Sequence, residues 1–145
     1  MPKFNDDIKI SAPMDTVWSV LNDPTTWSSW FPDSDVITGL SSVAAGGTFQ
    51  FQKGDKSGSG VIDRVDTEQG IVRVTTREGD KQETHTFDLD KRGFMGMGND
   101  TTLKYTMEYD AGNFISEFVV GGNPIESQGV HNTLKRFKGV VERSS

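Results

Sequence analysis

The residue best suited to proton chemistry in this sequence is His85, which lies in an alternating stretch from Glu83 to Asp90. It alternates with two threonines and shares one strand face with Glu83, Phe87 and Leu89. An imidazole titrates near neutrality, so an inward-facing His85 would serve as a general acid or base. The alternative is a histidine at a strand edge whose ring nitrogens are satisfied by hydrogen bonds without any catalytic role.

The amino-acid composition excludes several other chemistries. The chain contains no cysteine, which excludes disulfide bonds, thiolate zinc sites and thiol catalysis. Two histidines are too few for a histidine-rich metal site, so we expect neither a metal ion nor a cofactor. The glycine-rich stretch from Gly93 to Asp100 lacks the lysine of a phosphate-binding loop and does not open a helix. We interpret it as a long hairpin loop that could act as a lid.

Charge and length limit the class of protein. The 145 residues amount to one domain, residues 1–145. Lysine and arginine total 15 against 21 acidic residues, which gives a net charge of −6. This charge repels phosphate backbones and anionic lipids, so we expect no nucleic-acid partner and no basic membrane-surface role. No stretch is long and apolar enough to span a bilayer and the N-terminus has no signal pattern, so we expect a cytoplasmic protein. We also expect a monomer or a weak homodimer.

Helices are predicted near both ends of the chain. A strand from Phe4 to Ser11 ends at Ala12-Pro13, after which Val17 and Leu21 lie at helical spacing. Pro24 begins a second short helix that extends to Trp30. The last helix starts near Pro124, and its apolar face repeats at i, i+4, i+7 and i+11. That face consists of Val130, Leu134, Phe137 and Val141.

A series of strands separated by turn residues fills the middle of the chain. The clearest alternation runs from Thr102 to Asp110, where Leu103, Tyr105, Met107 and Tyr109 point one way. We interpret the Gly/Ser-rich stretch Gly54–Gly60 as a turn, and Phe114–Val120 remains open between strand and helix. The other predicted strands are Asp35–Leu40, Phe49–Gln52, Val61–Asp66, Ile71–Arg77 and Glu83–Asp90.

This order predicts an α+β fold in which a curved antiparallel sheet of about six to seven strands wraps around a long C-terminal helix. Only that helix is long enough to cover the inward face of the sheet. A curled sheet around one helix tends to leave an elongated space between them, and pockets form at such places. Two short helices after the first strand would brace this assembly.

Several stretches of the sequence resemble a known superfamily. They are Ile8–Pro13, Val17-Trp18, Asn22–Pro24, Trp27–Pro32 and Gly46–Phe51. Together they resemble the START-like superfamily, also called SRPBCC or helix-grip, and within it the polyketide cyclase/dehydrase and lipid transport family. The resemblance covers essentially the whole chain. It implies a helix-grip fold with a deep, mostly apolar cavity between the sheet and the last helix.

The resemblance also implies roles for individual residues. Trp27 and Phe31 match positions where aromatic polyketide cyclases place cavity aromatics, although both could simply pack the short helices onto the sheet. Arg64 lies in a strand context like that of an arginine the cyclases use, where a guanidinium could polarise an enolising carbonyl. The alternative is a surface arginine paired with Asp63, Asp66 or Glu68. The tryptophans that precede the cyclase arginine are replaced here by Ser59–Ile62.

The predicted site therefore combines two catalytic candidates, Arg64 and His85, with an apolar lining. His131 is displaced by one residue from the apolar face of the last helix and lies either at the cavity rim or on the surface. The predicted ligand-binding residues are Trp27, Phe31, Phe49, Phe51, Phe87, Tyr105, Met107, Tyr109, Ser127, His131 and Leu134.

Three functions agree with this reading. The first is binding or carriage of an apolar or aromatic small molecule, such as a lipid or a polyketide-like metabolite. The second is an enzyme of the polyketide cyclase/dehydrase type that uses Arg64 and His85. The third is a protein-interaction module like the chaperone activators of the same superfamily, which would use the outer sheet face and the loop containing Phe94 and Met97.

Overall fold

The computed structural model describes residues 3–32, 36–79, 81–90, 100–110 and 124–144. The side chains of residues 90, 109, 110, 124–128 and 144 lie outside this described part. The expected loop over 93–99 and the ambiguous segment 114–120 also lie outside it.

Seven antiparallel strands form one sheet, in the order β1-β7-β6-β5-β4-β3-β2. The first strand therefore pairs with the last one, while the strands between them follow each other as hairpins. The class and strand number predicted from the sequence are confirmed. The strands are β1 Lys3–Ile10, β2 Val36–Thr38, β3 Thr48–Lys53, β4 Lys56–Asp66, β5 Ile71–Glu78, β6 Lys81–Asp90 and β7 Thr101–Asp110.

The predicted turn over Gly54–Gly60 is wrong in its extent. The turn is confined to residues 54 and 55, and strand β4 begins at Lys56. Two glycines of β4 lie in the sheet because aromatic rings of β3 cover them: a Cβ at Gly60 would lie 2.2 Å from Cζ of Phe49. Glycine is depleted in strands generally, but here the missing side chain makes room for the ring.

The predicted helices are confirmed. Helix α1 spans Met14–Leu21, a 3₁₀ turn spans Pro24–Thr26, and helix α2 follows directly as Trp27–Trp30. Asp23 caps the 3₁₀ turn, because its Oδ1 accepts hydrogen bonds from the backbone N–H and the hydroxyl of Thr25. Helix α3 spans Pro124–Ser144. No helix among the described residues has both the length and the hydropathy of a membrane span.

Helix α3 runs alongside β1 in the same direction. His131 faces Asp6, Lys138 donates to the carbonyl of Lys9, and Glu142 accepts from the backbone N–H of Ser11. The first turns of α3 therefore lie at the end of the sheet where β1 begins and β7 ends. This arrangement decides which sheet residues the two halves of the helix cover.

The core lies between the inward face of the sheet, the two short helices and α3. All four residues of the predicted apolar face of α3 are buried, as are Leu103, Tyr105 and Met107 of β7. Trp18 is partly buried and packs against this core. It lies on α1, whose fully buried positions are Val17 and Leu21.

Candidate functional site

Aromatic rings fill much of the space between the sheet and the helices. Trp27 stacks on Phe31 with 4.8 Å between ring centroids. Trp30 makes edge-to-face contacts with Phe87 at 5.2 Å and with Phe137 of α3 at 4.9 Å. These rings are at most 1% exposed, so they form a closed, mutually packed cluster in the described part of the interior.

This packing bears on the predicted ligand-binding residues. Trp27, Phe31, Phe49 and Phe87 all contact other members of the cluster and are at most 1% exposed. Leu134 is also fully buried, on the same face of α3 as Phe137. These contacts are the ones expected where aromatics pack the short helices onto the sheet, and ligand binding by the same residues stays a prediction.

Trp30 is the residue that sequence reasoning missed in this cluster. It is fully buried and contacts rings from α2, β6 and α3, and its indole N–H donates to Thr26. Trp27 and Trp30 are three residues apart, and of the two only Trp27 was considered for the interior. On a helix, residues separated by three lie on the same face.

A buried polar cluster interrupts the aromatic interior at strands β5, β6 and β7. His85 is 1% exposed and Glu83, two residues before it on the same strand face, is 5% exposed. The ring nitrogen Nδ1 of His85 lies 2.5 Å from the hydroxyl of Tyr105, and Nε2 lies 3.0 Å from the hydroxyl of Thr76. Nε2 is also 3.4 Å from Oε1 of Glu83. We call these four residues the polar cluster.

Glu83 carries negative charge inside the protein. Burial would raise the pKa of its carboxyl, but the hydrogen bond to His85 and the electrostatic attraction of His85 and Lys81 outweigh burial and lower the pKa below its ordinary value. Nζ of Lys81 lies 3.3 Å from Oε2 of Glu83. An ionised carboxylate therefore lies between an imidazole on its inner side and an ammonium group on its outer side.

The polar cluster reaches the surface at a small recess. The recess has a volume of about 10 Å³, enough for about one water molecule, and Lys81 is about a third exposed at its edge. It is lined by Pro32, Phe51, Thr76, Glu78, Lys81 and Glu83.

Two members of the polar cluster, Thr76 and Glu83, could have been found from the sequence. They lie directly opposite each other because β5 and β6 form a tight hairpin in which Glu78 pairs with Lys81. Counting back from that turn puts Thr76 across from Glu83. The alternation that pointed to His85 also put Glu83 on its face. Tyr105 could not be found in this way. It pairs with Phe87 and so approaches His85, and predicting that contact requires the β6–β7 register.

Arg64, the other catalytic candidate, lies apart from this cluster. It pairs in the sheet with Arg73, whose side chain is exposed, and its guanidinium forms an ion pair with Asp66 at 2.8 Å. A hydrogen bond from the backbone of Gln69, followed by that from Arg64, lowers the pKa of Asp66. The irregularity in β4 between Ile62 and Arg64 shifts the strand register at this point. This is the surface pairing that the sequence left open as the alternative.

The remaining predicted residues are distributed along the same end of the fold. Phe51 and Met107 are buried beside the polar cluster, since Met107 pairs with His85 and Phe51 lines the recess. His131 is exposed and faces Asp6 at 2.9 Å, which corresponds to the surface alternative. Tyr109 lies on β7 and Ser127 on the second turn of α3, with side chains outside the described part.

A larger recess of about 390 Å³ lies elsewhere, between α1 and the turn after β4. Its lining includes Met14, Trp18 and Leu89, together with a single carboxylate from Asp15. It has no cluster of titratable groups, so the chemistry of the described residues is concentrated at the polar cluster instead. Among those residues, no group of three or more histidine or acidic side chains could hold a metal ion.

Comparison with known proteins agrees with this architecture. Residues 1–142 match the family described as polyketide cyclase / dehydrase and lipid transport. No curated protein sequence matches the chain significantly.

Solved structures share the fold at low sequence identity. The Zhui aromatase/cyclase from Streptomyces sp. R1128 is 15% identical, with a TM-score of 0.74 over 98% of this chain and 94% of that one. Norcoclaurine synthase from Thalictrum flavum, in complex with dopamine and hydroxybenzaldehyde, is 16% identical, with a TM-score of 0.71 over 99% and 88%. A protein of the dynemicin biosynthetic locus is also 16% identical, with a TM-score of 0.68 over 99% of this chain. The present chain spans about half, 48%, of that protein.

Proposed function

The chain belongs to the polyketide cyclase/dehydrase and lipid transport family, and from this premise we propose that it binds an apolar or aromatic small molecule carrying a hydroxyl or carbonyl group. The ligand lies between the sheet and α3, at the end of the sheet that holds the polar cluster. Its ring or chain contacts apolar side chains such as Met107 and Phe51, and its oxygen hydrogen-bonds within the polar cluster.

The observation that supports this proposal is the polar cluster itself. An aromatic core needs no buried imidazole, carboxylate and phenol to be stable, and burying such groups costs free energy unless each finds partners. Here they lie together on the inward face of the sheet, near the first turns of α3. Binding sites of small molecules commonly combine an apolar lining with a few convergent polar groups.

The proposed ligand is neutral or carries its charge away from the cluster. The carboxylate of Glu83 disfavours a ligand carboxylate nearby, and the net charge of −6 disfavours polyanions. A hydroxyl or carbonyl can exchange hydrogen bonds with His85 or Tyr105 without bringing another charge into a buried site.

Two probes that differ by one hydroxyl test this proposal. Calorimetric titration with 2-naphthol and naphthalene should show several-fold tighter binding of 2-naphthol, because one buried hydrogen bond contributes about 0.5–1.5 kcal/mol. His85→Phe should remove the difference, while His131→Gln, a change at the exposed histidine, should keep it. Equal affinity of the two probes for the unmodified protein, or no binding of either, would contradict the proposal. Native mass spectrometry of the purified protein then identifies any ligand that it retains.

A second function, proton-transfer catalysis on a ligand carbonyl, has its own support. His85 has two ring nitrogens held by polar partners, as in catalytic sites where an imidazole passes protons. Cyclisation and dehydration of polyketide-like molecules proceed through such enolisations, and two relatives of this fold are a cyclase and a synthase by name. This second candidate uses His85 without Arg64, whose guanidinium pairs with Asp66 on the outer face.

Turnover separates the two functions. An enzyme should exchange the α-protons of a bound aryl methyl ketone, such as acetophenone, with deuterium from solvent, and His85→Phe should abolish this exchange. A binding protein should bind the ketone and leave its α-protons in place. Deuterium incorporation at the rate of the uncatalysed reaction would therefore favour carriage.

A further inference from the structure

We propose that Tyr105, His85 and Glu83 form a proton relay that connects the buried interior with solvent at the Lys81 recess. The proposal rests on the proposed function, because it assigns a task to the site where the ligand would lie. Within the relay, His85 and Glu83 are positioning residues that act through the hydroxyl of Tyr105. The apolar side chains of Phe87 and Met107, which lie beside these residues, take no part in it.

Glu83 determines which ring nitrogen of His85 carries the proton. Its ionised carboxylate can only accept hydrogen bonds, and Oε1 lies 3.4 Å from Nε2. A lone pair on Nε2 would face a negative charge, so Nε2 is the nitrogen that bears the proton in the neutral ring. Nδ1 then offers its lone pair, and the Tyr105 hydroxyl 2.5 Å away donates to it.

The same three groups have the order of a nucleophile, a base and an orienting carboxylate. In such arrangements the carboxylate fixes the tautomer of the imidazole, which then takes a proton from the hydroxyl on its other side. When Tyr105 gives its proton to Nδ1, the O–H bond breaks and an N–H bond forms, so the phenol becomes a phenolate and the ring an imidazolium. Loss of the Nε2 proton to Glu83 then leaves a neutral ring and a neutral carboxylic acid. One proton has moved outward at each step.

The outward end of the relay lies beside the small surface recess. Oε2 of Glu83 has no hydrogen-bond partner among the described residues, and it faces Lys81 at 3.3 Å. Both residues line the recess with Glu78, whose carboxylate adds a second proton acceptor there. A proton on Glu83 is therefore one step from water, whereas Tyr105 is fully buried.

Groups on three strands surround His85 and set its electrostatic environment. Glu83 and Lys81 come from β6, Tyr105 from β7 and Thr76 from β5. The ring of Phe31, 5.5 Å away, covers the imidazole from the side of α2 and excludes water there. The carboxylate of Glu83 is thus the acceptor through which protons reach the recess in the described surroundings of the ring.

The sequence allows an unusually clean test, because it contains two tyrosines and two histidines. In a Tyr109→Phe, His131→Gln background, NMR signals of the phenol and the imidazole report on Tyr105 and His85 alone. With ligand-free protein transferred into D₂O, loss of the Nε2–H signal of His85 measures exchange of the proton that Glu83 accepts. The indole N–H of Trp30, buried in the same core, serves as an internal measure of opening of the fold.

Glu83→Gln keeps the shape of the side chain but removes the proton acceptor. We expect exchange of the His85 Nε2 proton to slow at least tenfold while exchange at Trp30 stays unchanged, and Glu83→Asp to restore much of the rate. Glu108→Gln, at a partly exposed glutamate of β7, should change neither rate. Equal exchange of the His85 Nε2 proton in Glu83→Gln and the background protein, or faster exchange at both His85 and Trp30, would overturn the relay.

A second measurement on the same samples is independent of the rates. The ¹⁵N shifts of the neutral imidazole should show a protonated Nε2 and an unprotonated Nδ1. A proton on Nδ1 of the neutral ring would overturn the proposal even where Glu83→Gln proves too unstable to study. Since neither measurement uses a ligand, failure of the relay leaves the naphthol experiment unaffected, and failure of that experiment leaves the relay to be judged by itself.

Discussion

Gly60 offers a sharp test of how tightly the interior is packed. A Cβ at this position would lie 2.2–2.7 Å from three ring atoms of Phe49, whereas carbon atoms in van der Waals contact are about 3.5–4.0 Å apart. The ring cannot easily move away, because it makes edge-to-face contacts with Trp27 and Phe31 at 5.7 and 5.5 Å. Gly60→Ala should therefore destabilise the protein by about 1–3 kcal/mol, as overpacking of cores does.

The same substitution in helix α3 should act in the opposite direction. A Cβ at Gly139 meets nothing within 4 Å, so Gly139→Ala should stabilise the protein by about 0.5–1 kcal/mol through helix propensity. Urea unfolding followed by tryptophan fluorescence measures both. With a denaturant dependence of about 1–3 kcal/mol per molar urea, the midpoints of the two variants should differ by roughly 0.5–4 M.

A double variant attributes the effect to the ring. Phe49→Leu removes the outer ring atoms that meet the new Cβ, so Gly60→Ala should cost less than half as much in that background. The reasoning would be refuted by a Gly60→Ala protein as stable as the unmodified one. An undiminished cost in the Phe49→Leu background would refute it as well, because the destabilisation would then come from the backbone and not from the aromatic ring.

Three further predictions follow from the described contacts. Trp30→Ala should lower the free energy of unfolding by about 3–5 kcal/mol in urea titrations, because it opens a cavity among Phe87, Phe137 and neighbouring rings; a loss under 1 kcal/mol would contradict the packing described. Asp23→Ala should cost about 0.5–2 kcal/mol by thermal or urea unfolding, since it removes the cap of the 3₁₀ turn, and Asp23→Asn should retain most of the stability. The pKa of Glu83 is lowered on folding, so the unfolded chain binds the proton of this carboxyl more readily than the folded protein does. The stabilisation from Glu83 is therefore complete at pH values above its ordinary pKa of 4.5 and is lost as the pH falls below that value. Unfolding free energies measured at successive pH values should thus decline less steeply below pH 4.5 in Glu83→Gln than in the unmodified protein, and parallel curves would show that the carboxylate is not selectively stabilised.

The sequence predicted the helices and most strands because their periodicity is local. The face of α3 with Val130, Leu134 and Phe137 and the alternation of β7 both follow from spacing alone. The start of β4 was missed because Gly58 and Gly60 have no side chains from which a period can be read. Their place in the sheet depends on rings from the neighbouring strand, which is a contact between segments.

The candidate site was only partly predictable for the same reason. Alternation put His85 and Glu83 on one face, but whether that face pointed inward depended on the position of α3. Arg64 was harder, because an irregularity in β4 shifts its register and brings it opposite an exposed arginine of β5. The depth of packing around Trp27 could not be read from composition, since lining a cavity and filling a core require the same residue types.

The pairing of β1 with β7 has a consequence for how the chain acquires its structure. Lys3 lies across from Glu108 and Ile10 across from Thr101. During synthesis, β1 therefore leaves the ribosome about a hundred residues before the strand with which it pairs. The hairpins from β3 to β6 can assemble in the meantime, whereas closing so long a loop costs entropy before any contact compensates for it. Sheets dominated by such distant pairings fold over milliseconds to seconds. Since α3 is fastened to Lys9 and Ser11, the two ends of the domain should consolidate together in the last phase of folding.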